Sequence, residues 1–354
     1  MLSVGMHWCC LFADLAIGMS SSADAKVNLM IVQARRHLSG ALEFRALTAA
    51  LGVIWLLNAA FQAEAWLVAP SAESNLLQAF AKPAAQAPAW LKPPLLDVLH
   101  GVQAIGPGIV AAVMVAIAVL LGLALMTRVA LKLACGLGIF YNLVCWLVLG
   151  GLGFPYAHGQ TDPGVFPAYV LTFVFVLAAR PYLQDAAGDR RGGGRTLWAW
   201  ARIAFGLLWL FDAALKWLPA FLFHFTAQIT SAIPGQPHWI ALWLGFVAMA
   251  IGVIGPVVVA VLVAVAETAI AVGLLSGRWL QIVLPFGILY SLAVWCTAEA
   301  FGGPYTLAGT GVRGNVIGNV IVYVIAFLFL WAWQRARSRE SAGPARSCAQ
   351  GAGC

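Results

Sequence analysis

One stretch of this chain is written twice. Ile139-Phe-Tyr-Asn-Leu-Val-Cys-Trp146, followed by Gly153-Phe-Pro-Tyr156, returns 149 positions later as Ile288-Leu-Tyr-Ser-Leu-Ala-Val-Trp295 and Gly302-Gly-Pro-Tyr305. The same offset carries Ile105-Gly-Pro107 onto Ile254-Gly-Pro256 and Thr161 onto Thr310, and an offset of 154 carries Gly52 and Trp55 onto Gly206 and Trp209. A period of this length is that of a whole helical bundle. The chain is therefore expected to build two units of similar shape, each burying its polar positions.

The medium for such units is a bilayer. Hydrophobic residues make up 62% of the 354 and charged ones 9%, against about 25% charged in soluble domains. The formal charge of +7 does not point to nucleic acid, because Lys and Arg lie between apolar segments and at the tail, not on one face. The seven cysteines form no CxxC, no CxxCH and no Cys/His pair at metal spacing, so no metal site is expected.

A spanning helix needs about 20 apolar residues. The candidate spans are Phe44–Phe61, Gly108–Met126, Leu133–Leu152, Phe166–Ala179, Trp198–Leu218, Val257–Leu275, Ile282–Ala300 and Val316–Trp333. Arg35, Arg36 and Arg45 precede the first; Arg128 and Lys132 separate the second and third. Arg180, Arg190, Arg191 and Arg195 follow the fourth, Arg278 the sixth, and Arg335, Arg337 and Arg339 the eighth. That alternation obeys the positive-inside rule for eight transmembrane helices with both termini cytoplasmic, in the cell inner membrane. An even number of spans per unit makes the repeats parallel.

The expected fold is all-α integral membrane, eight transmembrane helices as two parallel four-helix repeats. Residues 1–42 form an N-terminal cytoplasmic segment, with Met19 or Met30 as alternative starts and no signal-peptide n-region. A first four-helix unit covers 43–184, a Gly/Arg-rich cytoplasmic linker 185–196, a second unit 197–334 and a disordered cytoplasmic tail 335–354. The Ala/Pro-rich stretch Pro70–Pro94 reads as a long outer loop. The run Ala241–Leu275 is too long for one span and too short for two. Gly252, Gly255 and Pro256 interrupt it, and Trp239–Ile251 is read as an interfacial or re-entrant helix. Most tryptophans, Trp217 and Trp198 among them, fit interfacial belts, and Tyr169 fits the same place.

The two units differ in charge. Asp212 faces Asn58 in the alignment and Lys216 faces Gln62; Glu267 falls opposite Ile117 or Ala118, and Glu299 opposite Gly150. An ionisable group at membrane depth costs about 2.5–3.5 kcal/mol on insertion scales, which makes it a functional hypothesis by default. Asp212 and Lys216, four apart, share a helix face and can pair; the plainer reading is a pair that ties helices together. Arg202 stands fourteen residues before Lys216 and either shares its stripe or serves as a positive-inside anchor. Glu267 has no basic residue within four positions on its own helix, so it must be protonated or find a cation on another one, such as Lys216 or Arg202. A carboxylate so held can accept or release the proton of a quinol. Glu299, Tyr305 and Arg313 gather near an outer loop, where Arg313 can meet an anionic substrate or pair with Glu299.

The second unit resembles the DoxX/DoxD superfamily of four-helix membrane proteins. The likeness lies in Arg202-Ile-Ala-Phe-Gly206 running into Leu215-Lys216, in Ala266-Glu267, and in Gly273-Leu-Leu-Ser-Gly-Arg278. It continues in Trp295 with Glu299-Ala-Phe-Gly-Gly303 and in the Gly309-Thr-Gly311 turn. The first unit matches more weakly, through Gly122, Thr127-Arg128 and Gly153–Thr161, and lacks the acidic and lysine positions; the resemblance spans roughly Glu43 to Trp333. It implies a polar core of Arg202, Lys216, Glu267 and Arg278. DoxD is the large membrane subunit of thiosulfate:quinone oxidoreductase, so the implied function is passage of electrons from thiosulfate or a related sulfur compound to membrane quinone.

The expectations are then these. Glu267, Lys216, Asp212 and Arg202 handle the chemistry; Arg313, Glu299, Tyr305 and Arg278 bind substrate. Quinone is the acceptor, with membrane lipid and a small periplasmic subunit as partners and no nucleic acid. The alternatives are a small-anion or proton-coupled transporter and a non-catalytic scaffold or assembly factor.

Overall fold

The computed structural model describes residues 40–153, 162–183, 193–302, 318 and 320–341. All regular elements among them are helical. They are α1 (Gly40–Val68, ending in a π-helical turn), α2 (Ala72–Gln86), α3 (Lys92–Ile105), α4 (Pro107–Thr127), α5 (Leu131–Val148), α6 (Val165–Leu183) and α7 (Gly193–Lys216). Short helices α8 (Pro219–Leu222) and α9 (Phe225–Thr230) follow, then α10 (His238–Ile254), α11 (Pro256–Ser276), α12 (Leu280–Cys296) and α13 (Val320–Ser341).

Seven helices among the described residues are long and apolar enough to cross a bilayer: α1, α4, α5, α6, α7, α11 and α13. With α12, an apolar helix of 17 residues rising about 25 Å, they cover the eight apolar runs of the sequence. Among the described residues, those within Ala46–Trp331 form one compact unit, and 40–45 with 332–341 belong to another. Within that second unit an Arg335–Glu43 pair at 4.0 Å is largely exposed and adds little.

Pro70–Pro94 departs from expectation: most of it is helix, not loop. Ala is the strongest helix former and dominates α2, and two prolines sit in the first turn of α3, where no backbone N–H is missed. Leu76 and Phe80 of α2 bury against α3 and α4 residues Val102, Ala111 and Met114. Interior Pro83 does not end the helix.

Geometry recurs along the chain at the sequence offset. α4 and α11 are both 21 residues long and begin 149 positions apart. Each follows a helix that stops at a glycine: Gly106 (φ 103°) and Gly255 (φ 108°) take a conformation open to glycine alone, and the next proline opens the new helix. The helix expected at Trp239–Ile251 is thus α10, ended by Gly255. Leu152 (φ 56°) and Phe301 (φ 59°) mark matching 3₁₀ turns after α5 and α12.

Helix crossings repeat as well. A Cβ on Gly138 of α5 would run into Phe173 of α6, and one on Gly287 of α12 into Phe327 of α13, so each glycine admits a ring from the last helix of its half. Outward faces of α4, α5, α11 and α12 are apolar, with Leu120, Leu133, Phe140, Leu262 and Leu289 all exposed. α6 and α13 are the most enclosed of the seven candidate spans. Phe175 of α6 and Phe329 of α13 stack face to face at 6.2 Å.

Candidate functional site

Three helices of the second half bring charge together. Asp212 and Lys216 stand one turn apart on α7, and the Lys216 ammonium lies 3.2 Å from Asp212 Oδ1. It also lies 3.5 Å from Glu267 Oε2, halfway along α11. From α12, the Tyr290 hydroxyl donates to Glu267 Oε1 at 2.7 Å. All three charged side chains are buried: Asp212 is 7% exposed, Lys216 9% and Glu267 4%.

Glycines set this depth. A Cβ on Gly206 would meet the Leu275 and Leu274 side chains, so the glycine lets α7 and α11 pack closely. Gly273 likewise admits Val283 of α12. Aromatic rings close the surroundings. Trp209 packs on Tyr290 at 5.9 Å and on Tyr323 at 5.3 Å, Phe205 meets Phe327, and Phe221 of α8 lies 5.4 Å below the Lys216 ammonium. In such a low-dielectric setting one missing partner would leave a buried charge uncompensated, a loss of about 3–5 kcal/mol.

The remaining expected residues take other places. Arg202 does not join the cluster: its guanidinium donates to the carbonyls of Leu274 and Leu275, satisfying the C-terminal end of α11, where a cation is favoured by the helix dipole. Arg278 is exposed in the turn after α11, its N–H donating to Ser276 Oγ. Glu299 accepts the Val320 N–H through Oε1 (3.3 Å) and Oε2 (3.1 Å) at the start of α13, a carboxylate at a positive helix end. Arg313 and Tyr305 lie outside the described residues, as do the linker positions 185–192.

The residues that sequence reasoning passed over are Tyr290, Trp209 and Tyr323. Tyr290 stood in the repeated segment opposite Tyr141, and that was the available signal. Tyr169 is no interfacial residue: it is buried, its hydroxyl accepts from Asn58 Nδ2, and its ring lies 5.1 Å from Trp55. Trp198 is buried rather than set in a belt.

No protein-family model, no curated protein and no solved structure matches this chain.

Proposed function

We propose that the chain is an eight-span membrane protein of the inner membrane, built as two parallel four-helix repeats of DoxX/DoxD type with cytoplasmic termini. Its second half works as the proton-handling site of a quinone-linked oxidoreductase subunit. The observation that carries the reading is the buried cluster of two carboxyls on one ammonium, with a tyrosine hydroxyl on the carboxyl that lies mid-helix. Lys216 balances one carboxylate; the other leaves room for one proton. Quinone reduction needs such a store, because the ring takes up two electrons and two protons. Two thiosulfate ions can supply the electrons as they join through a new S–S bond into tetrathionate. The eight spans and the duplication are supported by the matching bounds of α4 and α11 and by the paired breaks at Gly106 and Gly255.

In this reading Glu267 gives and receives the proton, Tyr290 orients it, and Lys216 with Asp212 holds the charge constant nearby. Glu299, Tyr305 and Arg313 belong to the donor side, where a small periplasmic subunit would dock; Arg278, in the turn after α11, belongs to the opposite, cytoplasmic end. The test is thiosulfate-dependent reduction of a quinone analogue by the full chain in lipid. Turnover that falls at least tenfold in Glu267→Gln is expected; no turnover from the native chain, alone or with a co-purifying partner, overturns the reading and leaves a scaffold.

A second reading, proton-coupled transport, draws on the same uncompensated carboxyl together with the two glycine-proline helix breaks. Broken helices around a buried charge are a transporter's usual device. Substrate-driven proton uptake into proteoliposomes, without quinone reduction, would favour it.

A further inference from the structure

The charge cluster is walled by rings on most sides. Trp209 packs directly on both Tyr290 and Tyr323, with centroids 5.9 and 5.3 Å away. The seam between α7 and α11 is different. Leu207, Leu210 and Phe211 of α7, continued just past its end by Trp217 and Leu218, form one exposed apolar stripe, and Leu262, Val265 and Val272 another on α11. Where the stripes meet, the Trp217 indole N–H donates to Thr268 Oγ1 at 3.1 Å. The Thr268 hydroxyl proton is already given to the Ala264 carbonyl at 2.7 Å, so its oxygen is fixed as an acceptor.

Trp217 directly follows Lys216, and Thr268 directly follows Glu267. One hydrogen bond, made by an indole that is 45% exposed, therefore closes the seam next to both halves of the buried ion pair. Offsets of 154 and 149 place Ala63 and Val119 at the corresponding positions of the first half, and neither side chain can form such a bond. The clasp is present only where charge lies behind it.

We propose that the Trp217–Thr268 bond is a lipid-facing door to the Lys216–Glu267 site, and that the ligand passing it is a bilayer-dissolved molecule with a planar, carbonyl-bearing ring, the chemistry of a quinone head group. The choice of ligand rests on the quinone reading above; the door does not. Opening frees an indole N–H to donate to a ring carbonyl and an indole face to stack on the ring. A water-borne ligand would have to cross the apolar stripes, whereas one already in the hydrocarbon meets them favourably.

Carbodiimides, which modify carboxyls, separate the possibilities in the full chain reconstituted in lipid vesicles. Dicyclohexylcarbodiimide partitions into the bilayer; a charged, water-soluble carbodiimide does not. Label on Glu267, read by mass spectrometry, is expected from the first reagent and not from the second. Trp217→Phe, which keeps a ring, and Thr268→Val should each speed that labelling about fivefold to tenfold, the factor by which loss of one hydrogen bond shifts an opening equilibrium. A short-tailed quinone analogue should slow it. Equal labelling by the aqueous reagent, unchanged rates in both variants, or no label in any of the three proteins overturns the door. Faster labelling in the variants with no protection by the quinone analogue keeps the door and overturns the quinone as its ligand.

Discussion

The two halves of the chain enclose the same scaffold of rings around opposite chemistry. Trp55, Tyr141, Tyr169 and Phe173 in the first half occupy the offset positions of Trp209, Tyr290, Tyr323 and Phe327 in the second, and Trp55 contacts its three partners at 5.1 to 6.0 Å. What these rings surround differs. Asn58 donates to Tyr169, and Gln62 keeps its Oε1 buried without a hydrogen-bond partner; the corresponding second-half positions hold the Asp212–Lys216 pair. Ala118, fully buried, stands where Glu267 does. Ring packing is thus satisfied beside neutral amides in one half and beside charged groups in the other.

The largest expected break in this comparison comes from Lys216→Met. It leaves two buried carboxyls without their cation and should lower stability by about 3–5 kcal/mol. Gln62→Met should stay within about 1 kcal/mol, because an amide oxygen without a partner is lost. Thermal unfolding in detergent reads both, and equal losses would mean that the two sites are energetically alike. Next come the glycines: Gly138→Ala and Gly287→Ala should each cost about 1–3 kcal/mol by overpacking against Phe173 and Phe327. Similar values would sharpen the case for duplication, and a large cost in one half alone would break it.

Glu267→Gln preserves shape and an acceptor for Tyr290, so its effect should fall on rate more than on stability. Quinone reduction should drop about tenfold, equivalent to about 1.4 kcal/mol, while Ala118→Gly in the first half leaves turnover near native. The smallest effect belongs to the tyrosine pair. Tyr290→Phe removes the hydroxyl bond to Glu267 and should cost about 1 kcal/mol, visible as reduced turnover and melting temperature. Tyr141→Phe, without a carboxyl to serve, should change turnover not at all.

Much of this was open to reading from residues alone. Apolar runs located the seven candidate spans, since bilayer thickness fixes their rough length, but α1 runs on from Phe61 to Val68 and α13 from Trp333 to Ser341. The i, i+4 spacing of Asp212 and Lys216 implied their pairing, and the isolation of Glu267 required a cation from another helix. Which cation was not legible: Arg202 and Lys216 both qualified on spacing, and the difference is that Arg202 reaches the open carbonyls at the end of α11. Tyr290 escaped because its role depends on the rotation of α12, set by Gly287 against Phe327 and by Val283 against Gly273. Pro70–Pro94 misled because proline was weighed above alanine, although at the first turn of a helix proline breaks nothing. Trp217 passed for an ordinary belt residue, since hydropathy does not register a single N–H pointing at Thr268.

The stacked pair Phe175 and Phe329 carries one more implication. They stand 154 positions apart, the spacing that relates Trp55 to Trp209, so each meets its own counterpart. Self-contact of this kind is what a twofold axis produces between identical subunits. A duplicated origin would then start from a half-length chain that pairs with itself through that phenylalanine. On that view a separately expressed second half should pair with itself along the same face.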